Sequence, residues 1–211
     1  QEEFLQEIAD TLDNNSRAID ITNTAEHLMH FGQYSTALKV LSNIIPGSTT
    51  SIEKQRIETA VGVSWYMSQE YYKAIEHLNS ILTDSLNPSI EQIVYVGKSI
   101  EQTQGPFKAL EYYHNLSIKS SFYNRYVSPR ILICKFNVQP SAKLERELSR
   151  IRFDYPYSSE INYILGKHSL INGNSKDACG YYESGSNGRE LYPEYSQLCR
   201  SALTEHCNSA P

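Results

Sequence analysis

The stretch WYMSQEYYKAIEHL, residues 65–78, decides the fold, because it combines aromatic residues, an alanine and a leucine at helical spacing. Such a segment is either an aromatic binding site or the packed wall of a repeating unit. The two interpretations differ in one respect that the rest of the sequence can test. A repeat requires the same pattern to return at a fixed interval along the chain.

The pattern returns about every 35 residues. Starting from Ala74, equivalent positions are spaced by 37, 35, 35 and 34 residues and hold Ala37, Ala74, Ala109, Leu144 and Ala178. Four residues after each of these anchors stands a large residue, in order Leu41, Leu78, Tyr113, Leu148 and Tyr182. Twelve residues before four of the anchors stands a small one, in order Ala25, Gly62, Gly97 and Gly166.

This spacing predicts five units, each a helix, a short turn and a second antiparallel helix. Small residues let the two helices approach closely, and the large residue at plus four fills the remaining space. Gly32 and Gly173, five residues before their anchors, are typical of the turn. Prolines after four of the units, at 46, 88, 156 and 193, are expected to end the second helix. One hairpin cannot bury its apolar face alone, so the units must stack.

The units resemble the tetratricopeptide repeat, a helical hairpin of about 34 residues. Two units carry the resemblance best, through Gly62, Trp65, Tyr71, Ala74 and Leu78, and through Leu165, Gly166, Gly173, Ala178 and Tyr182. The fourth unit departs from the pattern, with Leu144 in place of alanine. The resemblance implies an all-α, right-handed superhelical solenoid of about five hairpins with flanking capping helices. In that register Trp65 and Tyr71 pack inside, whereas Tyr66 and Tyr72 are expected to be exposed.

We divide the chain into three parts. Residues 1–17 are an N-terminal lead-in with an apolar helical stripe, residues 18–192 are the repeats, and residues 193–211 are a C-terminal capping helix and tail. Pro193 is expected in the first turn of the capping helix.

The four cysteines leave the redox state open. Cys134 lies in an apolar run and is interpreted as a core residue, whereas the other three fall in the last 33 residues. Three alternatives stand: a Cys179–Cys199 bond, a bond that includes Cys207, and free thiols. Among the bonds we favour one with Cys207, since the chain after His206 is free to bend.

Composition excludes several classes of partner. The net charge is −5 and the basic residues are scattered, so the concentrated positive surface of a nucleic-acid-binding protein is missing. No run of eighteen apolar residues is present, so we expect no membrane span in this segment. The sequence begins at Gln1, and we expect that an upstream segment, such as a signal peptide or anchor, precedes it in the full protein. The sequence leaves a homo-oligomer open.

No catalytic or metal-binding constellation is apparent, and we expect neither enzymatic activity nor a cofactor. His27 and His30, beside Glu26, have the best spacing for metal ligands, but no further ligand is predicted on that face. Chaperone-binding members of the family hold a peptide carboxylate with lysine, asparagine and arginine. The matching positions here are Thr22, Glu26, Thr59 and Glu91, so that clamp is absent.

The family geometry implies a partner-binding groove lined by the first helix of each unit. Its predicted residues are Glu26, Met29, His30, Thr59, Tyr66, Met67, Lys98, Glu101, Gln102, Tyr163 and Lys167. The predicted function is a non-enzymatic scaffold that binds a peptide or helix of another protein. The setting that we favour is bacterial envelope, secretion or pilus assembly, with the cytoplasm as the alternative. The alternative function is a structural subunit of an intracellular complex, as in trafficking. Charge reversal at Lys98 or Lys167 is expected to weaken binding without lowering the melting temperature.

Overall fold

The computed structural model describes residues 17–44, 49–84, 88–119 and 121–207. Within these ranges the chain forms eleven helices and no strand; a single bridge pairs Tyr157 with Glu190. The helices are α1 (Ala18–His30), α2 (Tyr34–Leu41), α3 (Ser51–Met67), α4 (Tyr71–Asp84), α5 (Ile90–Gln104), α6 (Pro106–Lys119), α7 (Ser121–Val138), α8 (Ala142–Ile151), α9 (Ser158–Ile171), α10 (Ser175–Ser186) and α11 (Tyr195–His206).

The order of the first ten helices matches the five predicted hairpins, and the two helices pack on each other in the first, second, fourth and fifth; α11 follows as the predicted C-terminal helix. We call the first helix of each hairpin its A helix and the second its B helix. The chain divides into two compact units, Gln1–Ala109 and Leu110–Pro211, with the division inside α6. Within each unit, the extensive contacts among described helices join helices that are one or two places apart in sequence. The predicted helix near the N-terminus lies outside the described residues.

Polar side chains begin the A helices of the second and third hairpins. Thr50 accepts a hydrogen bond from the Glu53 backbone at 3.3 Å, and the Glu53 carboxylate accepts one from the Thr50 backbone at 2.8 Å. Ser89 and Gln92 make the same reciprocal arrangement before α5. These capping boxes satisfy backbone N–H groups that a helix start leaves without partners. Hydrogen bonds from Thr50 also lower the pKa of Glu53.

The prolines take a different place from the one that the sequence predicts. Instead of ending B helices, Pro88, Pro156 and Pro193 each directly precede the N-cap residue of the next helix. Helix α10, for example, ends at Ser186, well before Pro193. Proline fixes an extended backbone just before a helix starts, which suits this position as well as it suits a helix end. Pro46 lies outside the described residues.

The turns inside the hairpins require a left-handed backbone. Gly32 and Gly173, both five residues before their anchors, have φ of 77°. Gln69, at the same position of the second hairpin, has φ of 64°. Glycine adopts this conformation at little cost, whereas glutamine does not. The second hairpin therefore contains a strained turn that the first and fifth avoid.

Close packing between small and large residues confirms the predicted hairpin core. All five plus-four residues are buried, and the four alanine anchors are fully buried. A Cβ on Gly62 would lie 2.4 Å from the Leu78 side chain, and one on Gly166 would lie 2.6 Å from the Tyr182 ring. Hence only glycine allows these A helices to lie so close to their B helices. Leu144, the atypical anchor, is half-buried.

The prediction for the tyrosines of the opening stretch is partly wrong. Tyr66 is 4% exposed, whereas Trp65 and Tyr71 are half-buried. The reason is that an A helix packs against the neighbouring A helix as well as its own B helix, and Tyr66 contacts Tyr95 of α5. Trp65 instead lies beneath the Lys73 ammonium group, 4.6 Å from the ring centroid. Tyr72 is 72% exposed, as predicted.

Of the alternatives for the cysteines, the structure contains a Cys179–Cys207 disulfide. Cys134 and Cys199 are buried thiols outside this bond. In the part of the chain that the structure describes, no helix is both long enough and apolar enough to cross a membrane.

Candidate protein-binding surface

The three A helices of the first unit pack side by side, with α3 between α1 and α5. Their predicted binding residues lie on what we call the A-helix surface, formed by α1, α3 and α5. Side chains of α3 link it to both neighbours, so the helices are fixed relative to one another. The relative placement of these three helices is therefore fixed by contacts within the chain itself.

The link between α1 and α3 is an ion pair. The Arg56 guanidinium donates hydrogen bonds to both carboxylate oxygens of Glu26, and its Nη2 also donates to Asn23 Oδ1 at 2.8 Å. The Arg56 and Glu26 side chains are 38% and 28% exposed to solvent. Because solvent screens such a pair, its contribution is to orientation more than to stability.

The link between α3 and α5 is a hydrogen bond between amides. Gln55 Nε2 donates to Gln92 Oε1 at 3.2 Å, and Gln92 is fully buried. The same Gln92 oxygen accepts the backbone N–H of Ser89 that begins α5. One side chain thus starts α5 and joins it to α3. The Thr59 hydroxyl, one turn further along α3, donates to the Gln55 carbonyl at 2.7 Å.

Lys98 of α5 is buried next to two tyrosine rings. Lys98 Nζ lies 5.3 Å from the Tyr66 ring centroid and 5.4 Å from that of Tyr95, and the lysine is only 5% exposed. The Tyr66 ring also lies 5.4 Å from the Tyr71 ring of α4. A cation over aromatic rings is attracted by their π electrons, and more strongly when water is excluded. Lys98 is thus part of the packing among α3, α4 and α5.

The predicted groove residues of the first unit separate into accessible and buried sets. His30 and Gln102 are exposed, and Glu26, Met67 and Glu101 are half-buried. Buried are Met29, Thr59, Tyr66 and Lys98. Met29 has no exposed surface, so in this structure it fills space between helices. Because Lys98 supports the tyrosine packing, its reversal would disturb folding as well, which makes it unsuitable as the pure binding variant that the sequence suggests.

The two predicted residues of the second unit lie on α9. Lys167 is exposed, whereas Tyr163 is half-buried and stacks near Tyr182 and Tyr195, with ring centroids 6.1 and 5.8 Å away. Tyr163 therefore joins α9 to α10 and α11 through aromatic packing. Burial raises the pKa of Tyr182 to about 12, and the neighbouring acidic groups of Tyr163, Cys199 and Glu205 add to the shift.

A second ion pair between A helices lies inside the second unit. Arg130 Nη1 of α7 donates to Glu160 Oε1 of α9 at 2.5 Å, with both side chains almost fully buried. Arg130 Nε also donates to Tyr113 Oη at 3.3 Å. Tyr157, whose ring faces the guanidinium, donates its hydroxyl to the Tyr126 carbonyl at 2.7 Å.

Sequence reasoning missed the residues that link the A helices. Arg56, Gln55, Gln92 and Arg130 stand at different distances from their anchors, so the repeat register does not single them out. A usable signal is the spacing of 30 residues that separates Glu26 from Arg56 and Arg130 from Glu160. That spacing brings opposite charges to adjacent A helices.

The histidine pair with the best spacing for metal ligands lies on α1. His27 and His30 are both exposed on α1, and the described residues contain no cluster of three histidine, cysteine, aspartate or glutamate side chains that could hold a metal ion.

No protein-family model matches the chain, and no curated protein matches its sequence. Among solved structures, TTC0263, a thermophilic TPR protein of Thermus thermophilus, is 12% identical with a TM-score of 0.64, over 89% of this chain and 99% of that chain. YrrB, described as a TPR protein with an unusual peptide-binding site, is 14% identical with a TM-score of 0.45, over 89% and 92% of the two chains. MamA MSR-1 is 13% identical with a TM-score of 0.46, over 81% and 95%.

Helical hairpins with small residues at the A–B contact define an all-α repeat protein. The similarity to TTC0263 shows which repeat it is: the chain has the tetratricopeptide-repeat fold.

Proposed function

We propose that the protein is a non-enzymatic scaffold that binds a segment of another protein, a peptide or a helix, on the A-helix surface of the first unit. The observation that carries the proposal is the set of links from Arg56 and Gln55, which fix three A helices side by side before any partner arrives. A surface that is already ordered binds an extended or helical segment at lower entropic cost than a mobile one.

The accessible groups of this surface suit a protein segment. His30 and Gln102 supply exposed polar side chains at its two edges, and Met67 supplies an adaptable apolar contact. Glu26 and Glu101 are half-buried, and the Glu26 carboxylate is paired with Arg56, so this part of the surface offers a partner polar contacts and no unpaired charge from Glu26. We include Lys167 and Tyr163 as a further contact region in the second unit.

The proposal can be tested by site-specific photo-crosslinking in the native host. A photoreactive phenylalanine analogue at His30 or Gln102 should capture one and the same partner protein. At Glu76, which is exposed on the B helix α4, the same analogue should not capture it. Capture at all three positions, or at Glu76 alone, would place the binding surface elsewhere.

Binding of the purified partner then gives the quantitative test. His30→Asp and Gln102→Arg should each weaken the affinity by about fivefold or more, the equivalent of about 1 kcal/mol. The melting temperature of Gln102→Arg should stay within about a degree of the parent, because the side chain is exposed. His30→Asp places a negative charge in the last turn of α1 and should also cost up to about 1 kcal/mol of stability, so its affinity is measured well below its melting temperature. Glu76→Gln is the matched control and should leave both quantities unchanged.

The Cys179–Cys207 disulfide supports an oxidising setting, such as the bacterial envelope or a secretion system. The alternative, a structural subunit of a larger assembly, is favoured by a different observation. Ile52, Tyr72 and Phe107 of the first unit are each more than 70% exposed, and a larger complex would bury such side chains. A purified chain that stays monomeric and soluble at high concentration would count against this alternative.

A further inference from the structure

Helix α11 is fastened at both of its ends. At its start, the Glu190 carboxylate accepts hydrogen bonds from the backbone N–H groups of Tyr195 and Ser196, at 3.0 and 2.9 Å. At its end, Cys207 is the residue that follows the last turn, and its sulfur is bonded to Cys179 of α10. The bond closes a loop over a sequence separation of 28 residues that includes the whole of α11.

The contact beneath α11 is apolar, and the two fully packed residues that α11 supplies to it are small. Cys199 and Ala202 of α11 pack against Ala178 and Tyr182 of α10, with half-buried Tyr163, Leu170 and Leu203 around them. Cys199 and Ala202 bury little apolar area themselves, and the rest of the contact comes from Leu203 and from the Tyr195 ring, whose centroid lies 5.8 Å from that of Tyr163. The disulfide adds to these contacts, because it holds the helix end near α10 even when the apolar contact opens.

The disulfide is within reach of solvent. Cys179 and Cys207 are half-buried and line an open groove between α10 and α11, together with Lys176, Gly180, Glu183, Arg200, Leu203 and Thr204. A small reductant can thus reach the bond without unfolding the protein. This differs from a structural disulfide enclosed in a core, where reduction must wait for unfolding.

We propose that the Cys179–Cys207 disulfide is a reversible latch that keeps α11 closed over the apolar surface of Leu170, Ala178 and Tyr182, and that its reduction exposes this surface. The reductant is a dithiol. It donates two electrons and two protons to the bond, giving two cysteine thiols and the oxidised cyclic or intramolecular disulfide of the reagent. No other bond changes.

Cys199, the third cysteine of this region, can reveal the opening of α11 through its own reactivity, and it does not pair with Cys207. Cys199 is fully buried, and a Cβ on Gly185 of α10 would lie 2.4 Å from its sulfur, so the helices are in close contact around it. Burial raises the pKa of the Cys199 thiol to about 12, which keeps it protonated and unreactive. Eight residues of helix separate Cys199 from Cys207, about 12 Å, too far for a bond while α11 is intact.

The test is the rate at which N-ethylmaleimide modifies Cys199 in the folded full chain, followed by peptide mass spectrometry. Cys134, buried in α7, is the internal control. Loss of a loop closure of this size predicts that reduction by dithiothreitol, removed before labelling, speeds Cys199 modification on the order of a hundredfold. The Cys134 rate should change by less than about twofold if the second unit stays folded.

A variant separates the latch from other effects of the reductant. Cys179→Ser/Cys207→Ser should label at Cys199 as fast as the reduced protein, with or without dithiothreitol. If this variant does not fold, the reduced parent takes its place. Its far-ultraviolet circular dichroism spectrum shows whether the helices remain folded after reduction. The proposal is overturned if Cys199 stays slow after reduction, or if Cys134 speeds up equally, which would mean general unfolding. It is also overturned if protein purified from its host under non-reducing conditions has four free thiols.

Discussion

Each unit of this protein joins two A helices through an arginine–glutamate pair, but the surroundings of the two pairs differ. In the first unit, Arg56 and Glu26 keep about a third of their exposure. In the second unit, Arg130 and Glu160 keep 1% and 6%. The chemistry is the same, and so is the sequence separation of 30 residues. The difference that matters most for stability is the access of water to the charges.

This difference assigns the two pairs different roles. An exposed pair gains little from its charges because water competes for both of them. A buried pair has already lost its water, so each charge depends on the other and on neighbours such as Tyr113. The pair of the first unit can therefore form part of a recognition surface, whereas that of the second unit belongs to the core.

Removing one partner of the buried pair should have the largest effect. Arg130→Met leaves the Glu160 carboxylate buried without its counter-charge, and we expect a loss of about 3–5 kcal/mol in the free energy of unfolding. Chemical denaturation measures it. The double variant Arg130→Met/Glu160→Met should regain most of the loss, because no unpaired charge remains. A single variant that loses less than about 1 kcal/mol would show that the pair is hydrated, contrary to this structure.

The second-largest loss of stability is expected at the glycines of the helix contacts, one in each unit. Gly62→Ala places a methyl group against Leu78, and Gly166→Ala places one against the Tyr182 ring. Overpacking of this kind costs about 1–3 kcal/mol. Gly180, where an added Cβ would meet nothing within 4 Å, provides the control, and Gly180→Ala in α10 should be neutral or stabilising.

Pairing the first of these variants with Leu78→Ala tests the cause. The double variant Gly62→Ala/Leu78→Ala should be more stable than the sum of the single losses predicts, since the alanine methyl then occupies vacated space. Strict additivity in thermal or chemical unfolding would mean that the two residues do not interact.

In the turn of the second hairpin, a substitution is expected to stabilise the protein, in contrast with the variants above. Gln69→Gly relieves a left-handed glutamine and should stabilise the protein by up to about 1 kcal/mol. Gly173→Ala, at the same position of the fifth hairpin, should destabilise it by about 1 kcal/mol. Differential scanning calorimetry distinguishes the two shifts of melting temperature. If Gln69→Gly lowers the melting temperature, the turn is not strained.

The smallest effect on stability is expected at the exposed pair. Arg56→Met should cost only about 0.2–1 kcal/mol, in contrast with Arg130→Met. Its effect should instead appear in partner binding, because Arg56 holds Glu26 and Asn23 on the A-helix surface. A loss of stability equal to that of Arg130→Met would remove the distinction between the two pairs.

The sequence predicts the hairpins well because their packing depends on residue size at a fixed spacing. Gly62 against Leu78 and Gly166 against Tyr182 are consequences of that spacing alone. The placement of proline was wrong for a related reason: one residue type suits both the end of a helix and the residue before the next one. Local rules do not distinguish these two uses when the linker between them is short.

The candidate surface was harder to predict, because exposure on an A helix depends on the neighbouring A helix. Tyr66 and Lys98 are buried together by contacts across 32 residues, which no periodicity within one hairpin describes. The disulfide belongs to the same class of problem. The sequence favours Cys207 as one member of a bond, but the identity of the other member, Cys179, depends on how α11 packs on α10.

In the part of the chain that the structure describes, extensive contacts join only helices one or two places apart in sequence. This pattern affects the kinetics of folding. Contacts between near neighbours in sequence close short loops, so little entropy is lost before the first stabilising contacts form. A hairpin can then nucleate from its own residues and recruit the next one. Folding should be fast for a chain of 211 residues, and hydrogen exchange should reveal several opening steps in place of one global transition.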